Sequence, residues 1–438
     1  MRYISRDRLT DILFGALFAA VMVMMCVMAM TSRLNAHPDE LHHVDSGRYY
    51  MKYWDPPSIG DERTIFTFSK YGVSYLYQLD VVYFLAGKFA KLTSAFFPHD
   101  YQALRFFNIG LFFILILLFY RLPRQRRIAF VPLLLTPQLW YVFSYFNGDA
   151  FPFFLAYVCV YMLCRDRYTV PPAALSLKDP FFRKLLFLGM VIGLMAVSKR
   201  NYYVFLCFLL ALFGENAYFD HALKPILKNL AVVVAICLTL VTLRVGLDAY
   251  VNKSVNQDAL SHYAETFAKN EFKPSKVYSG EAYFGYNMRE QGLSYSELFT
   301  KWNWHIWTFR TSYGVYDYMK IYAPYIYYRW VGYALIAFLL VQLVPLAFSS
   351  TEHRWMLATL VFFSGVTIFQ STWHSWISDF QAQGRYLFPI LPMLGLSLAQ
   401  TGRASLSSKP LTILLTLILF GFGTYSFIWI GLANIAKG

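Results

Sequence analysis

The sequence predicts an all-α polytopic membrane protein with about eleven transmembrane helices. Apolar residues make up 57% of the 438-residue chain and charged residues only 15%, whereas a soluble domain carries about a quarter charged residues. Several apolar runs approach the ~20 residues that a helix needs to cross a bilayer. The net charge of +14 lies mostly in short loops, which indicates contact with membrane lipids and no nucleic-acid partner.

The apolar runs begin with a long N-terminal segment that no small-residue cleavage site follows, so we expect a retained span and not a signal peptide. Short loops separate most of the runs, and the two long loops are 33–103 and 250–325. In chain order the predicted spans cover residues 11–31, 104–120, 128–145, 150–164, 185–197, 202–214, 229–249, 326–348, 355–373, 386–400 and 410–432.

The segment 75–92 is apolar but contains Asp80, Lys88 and Lys91. If it does not cross, the loops on the N-terminal side of the membrane carry 17 Lys and Arg, and the short loops on the other side carry 3. Positively charged loops stay in the cytoplasm. We therefore expect 75–92 to lie at the outer interface with its charges reaching water, and the N-terminus to be cytoplasmic.

This topology places the polar segments that contain candidate catalytic or binding residues on the outer side of the membrane. A single site at the outer surface follows from that convergence. The segments are the first outer loop 33–103 with its acidic motif, FNGD at 146–149, SKRN at 198–201, the long outer loop 250–325, and SDFQAQGRY at 378–386.

The stretch LNAHPDELHH (34–43) carries the acidic motif. Pro38 is a favourable first helical residue, which would put Asp39 and Glu40 in the first turn of a short helix. Helical spacing then places Asp39 on the same face as His42 and His43. Asp39 or Glu40 could act as a general base. Asp39, His42 and His43 could instead bind a metal ion, although no further ligand is evident, and solvated histidines beside an acidic helix start are the structural alternative.

Asp149 lies where an apolar run begins. A carboxylate entering such a run is costly and usually functional. The alternative is that Asn147 or Asp149 caps the following helix, and both interpretations can hold together.

Three cations lie at the outer ends of predicted spans: Lys199, Arg200 and Arg385. Cations placed against the positive-inside trend need an anionic partner, and a phosphate supplies one. A lipid headgroup, or an arginine that reaches the interface, is the structural alternative.

Together these motifs resemble the GT-C superfamily of membrane glycosyltransferases, which use polyprenyl-phosphate-linked sugars. More closely, the chain resembles a family of predicted bacterial membrane proteins that carry PDE-x-x-H, a mid-chain Asp, K-x-x-Y and a late QGRY. The matching positions are Pro38–His43, Asp149, Lys199–Tyr202 and Gln383–Tyr386. The resemblance implies a GT-C-like transmembrane catalytic module over residues 1–400, with interfacial helices in its first outer loop, followed by a loop and a last span over 401–438.

The resemblance also implies an inverting sugar transfer on the periplasmic or extracellular face of the inner or plasma membrane. The acceptor would be an envelope glycan, a lipid or a protein, and a divalent cation such as Mg²⁺ or Mn²⁺ stays open as a cofactor. The implied roles are Asp39 as base with Glu40 second, Asp149 as an orienting acid, Lys199, Arg200 and Arg385 on the donor phosphate, and His42, His43, Tyr202, Gln383 and Tyr386 lining the pocket.

Two other functions remain open at this point. One is a polysaccharide polymerase or ligase of related architecture, which would transfer long chains from the same kind of donor. The other is a lipid or sugar transporter that forms no bond. Transporters often contain internal repeats and helices broken near the bilayer midplane, and the sequence predicts neither.

Overall fold

The computed structural model describes residues 5–165, 168–252, 257–401 and 405–438. Parts of the predicted loops 165–184, 250–325 and 401–409 lie outside these ranges. The first half of the chain contains the helices α1 (Arg6–Thr31), α2 (Glu40–Lys52), α3 (Val81–Thr93), α4 (Asp100–Arg121), α5 (Pro137–Ser144), α6 (Ala150–Arg165), α7 (Pro180–Ser198) and α8 (Tyr203–Phe219).

The second half continues the helical architecture and adds one small antiparallel ladder. Its elements are α9 (Leu223–Asn252), α10 (Gln257–Phe267), α11 (Glu297–Thr300), α12 (Trp304–Gly314), β1 (Val315–Tyr316), β2 (Ile321–Tyr322), α13 (Tyr325–Ala347), α14 (Thr351–Ile377), α15 (Ile390–Thr401) and α16 (Pro410–Tyr425), the last extended by a π-helical turn (Ser426–Leu432). Short 3-10 helices connect these elements at Glu62–Thr67, Tyr75–Gln78, Ser94–Phe96, Arg124–Leu134, Arg200–Tyr202, Asn270–Phe272, Pro274–Lys276, Gly384–Leu387 and Leu406–Ser408.

The protein is an all-α, multi-pass membrane protein. Within the described ranges, eight helices are long and apolar enough to cross a bilayer. They are α1, α4, α7, α8 together with its preceding 3-10 turn, α9, α13, α14 and α16 together with its π-helical turn. The total of eleven spans stays a prediction.

The predicted span 128–145 does not form one continuous helix. The chain forms a 3-10 helix up to Leu134 and then restarts as α5 at Pro137. Pro132 and Pro137 have no backbone N–H and so interrupt the helical ladder. Both pieces are buried by protein, as Phe130 and Trp140 illustrate, and irregular backbone at membrane depth is tolerated when protein covers it. The apolar composition here therefore reflects a protein core.

The other two shorter pieces are α6 and α15, with 16 and 12 residues. Helix α15 packs directly on the 3-10 helix before α5. A Cβ at Gly395 would lie 2.1 Å from the carbonyl oxygen of Ala129, so only glycine permits this approach. The buried segment 128–145 and α15 together form a packed layer at the centre of the protein that supports the candidate functional site.

The ambiguous segment 75–92 is divided between the 3-10 turn Tyr75–Gln78 and α3, which is too short to span a bilayer. Lys88 donates hydrogen bonds to the carbonyl oxygens of Tyr50 (2.6 Å) and Tyr53 (2.8 Å) and so fixes α3 against α2. Leu92 is 80% exposed. This arrangement suits a helix lying on the membrane surface, and that location stays a prediction.

A second, smaller apolar core lies between the loop 250–325 and the segment that precedes Arg385. Met288, Leu298, Trp304 and Ala382 are buried in it, surrounded by further aromatic side chains. The backbone N–H of Phe380 donates to the carbonyl of Gly285 at 2.6 Å. This core and its hydrogen bonds position the segment that leads into Arg385.

A buried ion pair joins Glu40 at the start of α2 to Arg105 in α4. Arg105 donates from Nε to Oε1 (2.6 Å) and from Nη2 to Oε2 (2.8 Å), and neither side chain is exposed. Nη1 also donates to the carbonyl oxygens of Ala29 (2.7 Å) and Ser32 (2.8 Å) at the end of α1. Three helix ends are therefore tied together. Both Glu40 oxygens are paired with Arg105, which favours a positioning role for this carboxylate. Its role as a second base stays a prediction.

Arg105→Met should lower the free energy of unfolding by about 3–5 kcal/mol, because it leaves the Glu40 carboxylate buried without a counter-charge. Arg48→Met is the matched control. Arg48 also links α2 to α4, through Asp100, and pairs with Asp45 on its own helix. It is partly exposed and should contribute about 1 kcal/mol or less. Thermal unfolding in detergent measures both, and equal losses would contradict the prediction.

Candidate functional site

The first acid of the site is Asp39, which lies just before α2. Pro38 and Asp39 are outside the helix, contrary to the prediction that both belong to its first turn. Asp39 adopts a left-handed backbone conformation with φ 59°, which Asp tolerates better than most residues. The turn leaves its carboxylate about one-third exposed, with Oδ2 3.8 Å from Nη2 of Arg385.

The second acid is Asp149. The sequence allows either Asn147 or Asp149 to cap the following helix, and in the structure Asn147 is the cap. Oδ1 of Asn147 accepts hydrogen bonds from the backbone N–H groups of Asp149 (2.8 Å) and Ala150 (3.3 Å) at the start of α6. The Asp149 carboxylate is therefore not needed as a cap. It is 5% exposed and directed at two cations.

These cations are Lys199 and Arg385. Lys199 ends α7 in an extended conformation, and its Nζ pairs with Oδ1 of Asp149. Nη1 of Arg385 lies 3.6 Å from Oδ2 of Asp149. Burial by itself would raise the pKa of Asp149, but Lys199 and Arg385 outweigh it and hold the pKa below its usual value. Asp149 is therefore ionised at neutral pH and a poor proton acceptor.

Arg385 is held in the 3-10 turn Gly384–Leu387 at the centre of the cluster. The turn packs closely on α12: a Cβ at Gly384 would collide with Ser312, and the Gly384 N–H donates to Oγ1 of Thr311 at 2.8 Å. This contact explains the glycine before the arginine. The result is a guanidinium that is only 5% exposed.

The remaining contacts of Arg385 are hydrogen bonds of 3.3 Å to the hydroxyl groups of Tyr145 and Tyr386. Its Nε is buried and has no hydrogen-bond partner among the residues that the structure describes. Asp39, Asp149 and Lys199 complete the charge-balanced cluster, which we call the central cluster. It combines two acids with two cations and leaves one buried guanidinium N–H available for an anion.

The predicted metal site is not formed within the described parts of the chain, which hold no group of three His, Cys, Asp or Glu side chains suited to a metal ion. His43 stacks on Tyr75 with ring centres 4.4 Å apart and hydrogen-bonds Tyr83 through Nδ1 (2.7 Å). Burial lowers the pKa of His43 to about 3, so the ring is neutral at pH 7. His42 is partly buried, and its Nδ1 has no partner among these residues.

Three other predicted residues differ in their placement. Arg200 is exposed, and its guanidinium makes no ion pair within the described ranges, so it does not join the central cluster. Tyr202 is buried, and Gln383 is partly buried immediately before the Arg385 turn.

Sequence reasoning missed several neighbours of the central cluster. His37 hydrogen-bonds Ser32 (2.8 Å) and Tyr141 (3.0 Å) and stacks on Tyr145 at 4.7 Å. The tyrosines gave no signal, because the chain contains 34 of them. Asp379 lies in the segment SDFQAQGRY (378–386) but is not among the predicted site residues. It is 7% exposed and accepts a hydrogen bond from Tyr71.

Comparison of the sequence with protein-family models found no match, and comparison with curated proteins found none either.

His43→Gln should reduce the loss of stability that acid causes. The pKa of His43 is about 3 in the folded protein against an ordinary 6.5, so the unfolded state binds the extra proton between these values and stability rises with pH there. The substitution should remove up to ~1.4 kcal/mol per pH unit from the slope of the unfolding free energy against pH. Melting temperatures from pH about 6.5 to about 4 measure it. The exposed His262 provides the control His262→Gln, and equal slopes in both variants would contradict the prediction.

Proposed function

We propose that the protein is a membrane glycosyltransferase. It transfers a sugar from a polyprenyl-phosphate-linked donor to an envelope glycan, lipid or protein acceptor at the outer face of the membrane. The observation that carries the proposal is the buried Arg385 guanidinium with Nε unpartnered among the described residues, beside Lys199 and between two carboxylates. A buried guanidinium N–H of this kind suits a phosphate oxygen.

The cations would act on the leaving group. As the bond between the anomeric carbon and the phosphate oxygen breaks, the bonding electrons stay on the phosphate. Lys199 and Arg385 stabilise that negative charge, because Asp149 already orients both cations and Arg385 is also shielded from water. A phosphate leaving group needs no general acid. Asp149 keeps the two cations in place through its two carboxylate oxygens.

Asp39 would act on the acceptor. It is more exposed than Asp149, and a single cation lies near it at 3.8 Å, so it is the better proton acceptor of the two. Asp39 takes the proton of the acceptor hydroxyl while the oxygen forms its bond to the anomeric carbon. Attack opposite the departing phosphate inverts the configuration at that carbon.

Asp39→Asn should lower product formation by roughly 10²–10⁴-fold, because the amide cannot accept the proton. Mass spectrometry of envelope glycans and glycolipids measures the product. It compares cells that carry the wild-type gene, cells that lack the gene and cells that carry the variant. Asp55→Asn, in the same loop and paired with Arg63 at the surface, is the control and should keep activity.

Three results would count against the proposal, two from this experiment and one from a transport assay. Unchanged glycans in an Asp39→Asn variant that expresses and inserts normally would rule out the assigned base. Products extended by long chains would favour a polymerase or ligase. Sugar or lipid movement in proteoliposomes without bond formation would favour a transporter. Repeating the assay with EDTA and with added Mg²⁺ or Mn²⁺ tests the divalent cation.

The proposal requires the central cluster to face the periplasm or the cell exterior. In a variant without the natural cysteines, Asp55→Cys should react with a membrane-impermeant maleimide on intact cells, and Gln125→Cys should react only after lysis. Both positions are exposed, so accessibility does not separate them. The reverse pattern would place the site in the cytoplasm and contradict the positive-inside topology.

A further inference from the structure

We infer that the side-chain amides of Asn201 and Gln370 form a neutral subsite that binds the hydroxyl groups of the donor sugar. The inference rests on the proposed function, because it assigns the part of the donor that Lys199 and Arg385 leave unrecognised. Neither amide belongs to the central cluster. The argument starts from polar atoms that are buried and unpaired.

Asn201 lies in the 3-10 turn Arg200–Tyr202, two residues after Lys199. Its Nδ2 and Oδ1 are both inaccessible to solvent, and neither has a hydrogen-bond partner among the described residues. Leaving a buried polar atom unpaired destabilises a protein, and most such atoms in folded proteins are paired. Both ends of this amide are therefore available to a ligand, whichever way the group is oriented.

Gln370 lies on α14 and contacts the same turn. Its Nε2 donates to the backbone carbonyl of Arg200 at 3.4 Å, while its Oε1 is buried without a partner in the part of the chain that the structure describes. The two amides thus border the same short turn, one as part of it and one from α14. Together they present three unpaired atoms at the turn that follows Lys199 in the chain.

The chemistry of these atoms selects a neutral, hydroxyl-bearing ligand. An amide offers N–H donors and a carbonyl acceptor without charge, and a hydroxyl group is both donor and acceptor. An apolar lipid tail would leave the amides unpaired, and an anion would be better served by the adjacent cations. A sugar ring meets the requirement.

The position favours the donor sugar over the acceptor. Nη1 of Arg385 faces Asp149, which also pairs with Lys199, while Nη2 faces Asp39. The turn that the amides border follows Lys199 directly in the chain, whereas the base faces Nη2 of Arg385. A sugar bonded to a phosphate held by Lys199 and Arg385 can therefore place hydroxyl groups at Asn201 and Gln370, and its anomeric carbon remains open to attack from the Asp39 side.

The test compares lipid phosphates that have the same charge and differ only in the sugar. The probes are undecaprenyl methyl phosphate and the glucosyl, galactosyl, mannosyl and arabinosyl phosphodiesters of undecaprenol. Binding to the full-length protein in nanodiscs is measured by tryptophan fluorescence for the wild type, Asn201→Leu and Gln370→Met. Gln342→Met is the control, because Gln342 on α13 is a buried amide that is already paired, with Thr412 on α16.

The wild type should bind at least one sugar diester about tenfold more tightly than the methyl diester. Asn201→Leu and Gln370→Met should remove that advantage and leave affinity for the methyl diester unchanged, whereas Gln342→Met should keep the advantage. The inference is overturned if no sugar diester binds better than the methyl diester, if the advantage survives both substitutions, or if each substitution weakens all probes equally. Failure of the wild type to bind any of these lipid phosphates would instead refute the proposed function.

Discussion

The site depends on the cost of burying a charge. Arg385 is almost fully enclosed, and a guanidinium in that environment must have carboxylates nearby. Asp39 comes from the turn before α2 and Asp149 from the start of α6. Neutralising Arg385 therefore holds three distant parts of the chain together at one point. The same requirement brings in Lys199, which shares Asp149 and keeps the cluster neutral.

The sequence predicted the main features of the fold because lipid exposure leaves a compositional trace. Long apolar runs became long helices, and charges at their ends marked Asp149, Lys199 and Arg385. The prediction failed at 128–145 because a segment buried in protein is as apolar as one facing lipid. Pro132 and Pro137 were the visible sign that this segment is irregular.

Side-chain direction was the part of the site that the sequence could not supply. Asp39 and Glu40 are adjacent acids, and a left-handed turn sends one to Arg385 and the other to Arg105. Lys199 and Arg200 are separated in the same way by a 3-10 turn. The available sign for Glu40 was Arg105 itself, a charge near the start of a predicted span that needed a buried partner.

The Arg105 network also bears on how the chain is assembled as it is made. All the groups that accept hydrogen bonds from this guanidinium belong to Ala29, Ser32, Arg33 and Glu40. All of them leave the ribosome before Arg105 does. The hydrogen-bond acceptors of Arg105 are therefore already synthesised when this arginine, which is costly to place in lipid without a partner, enters the membrane. Insertion of α4 can then proceed before any later segment is made.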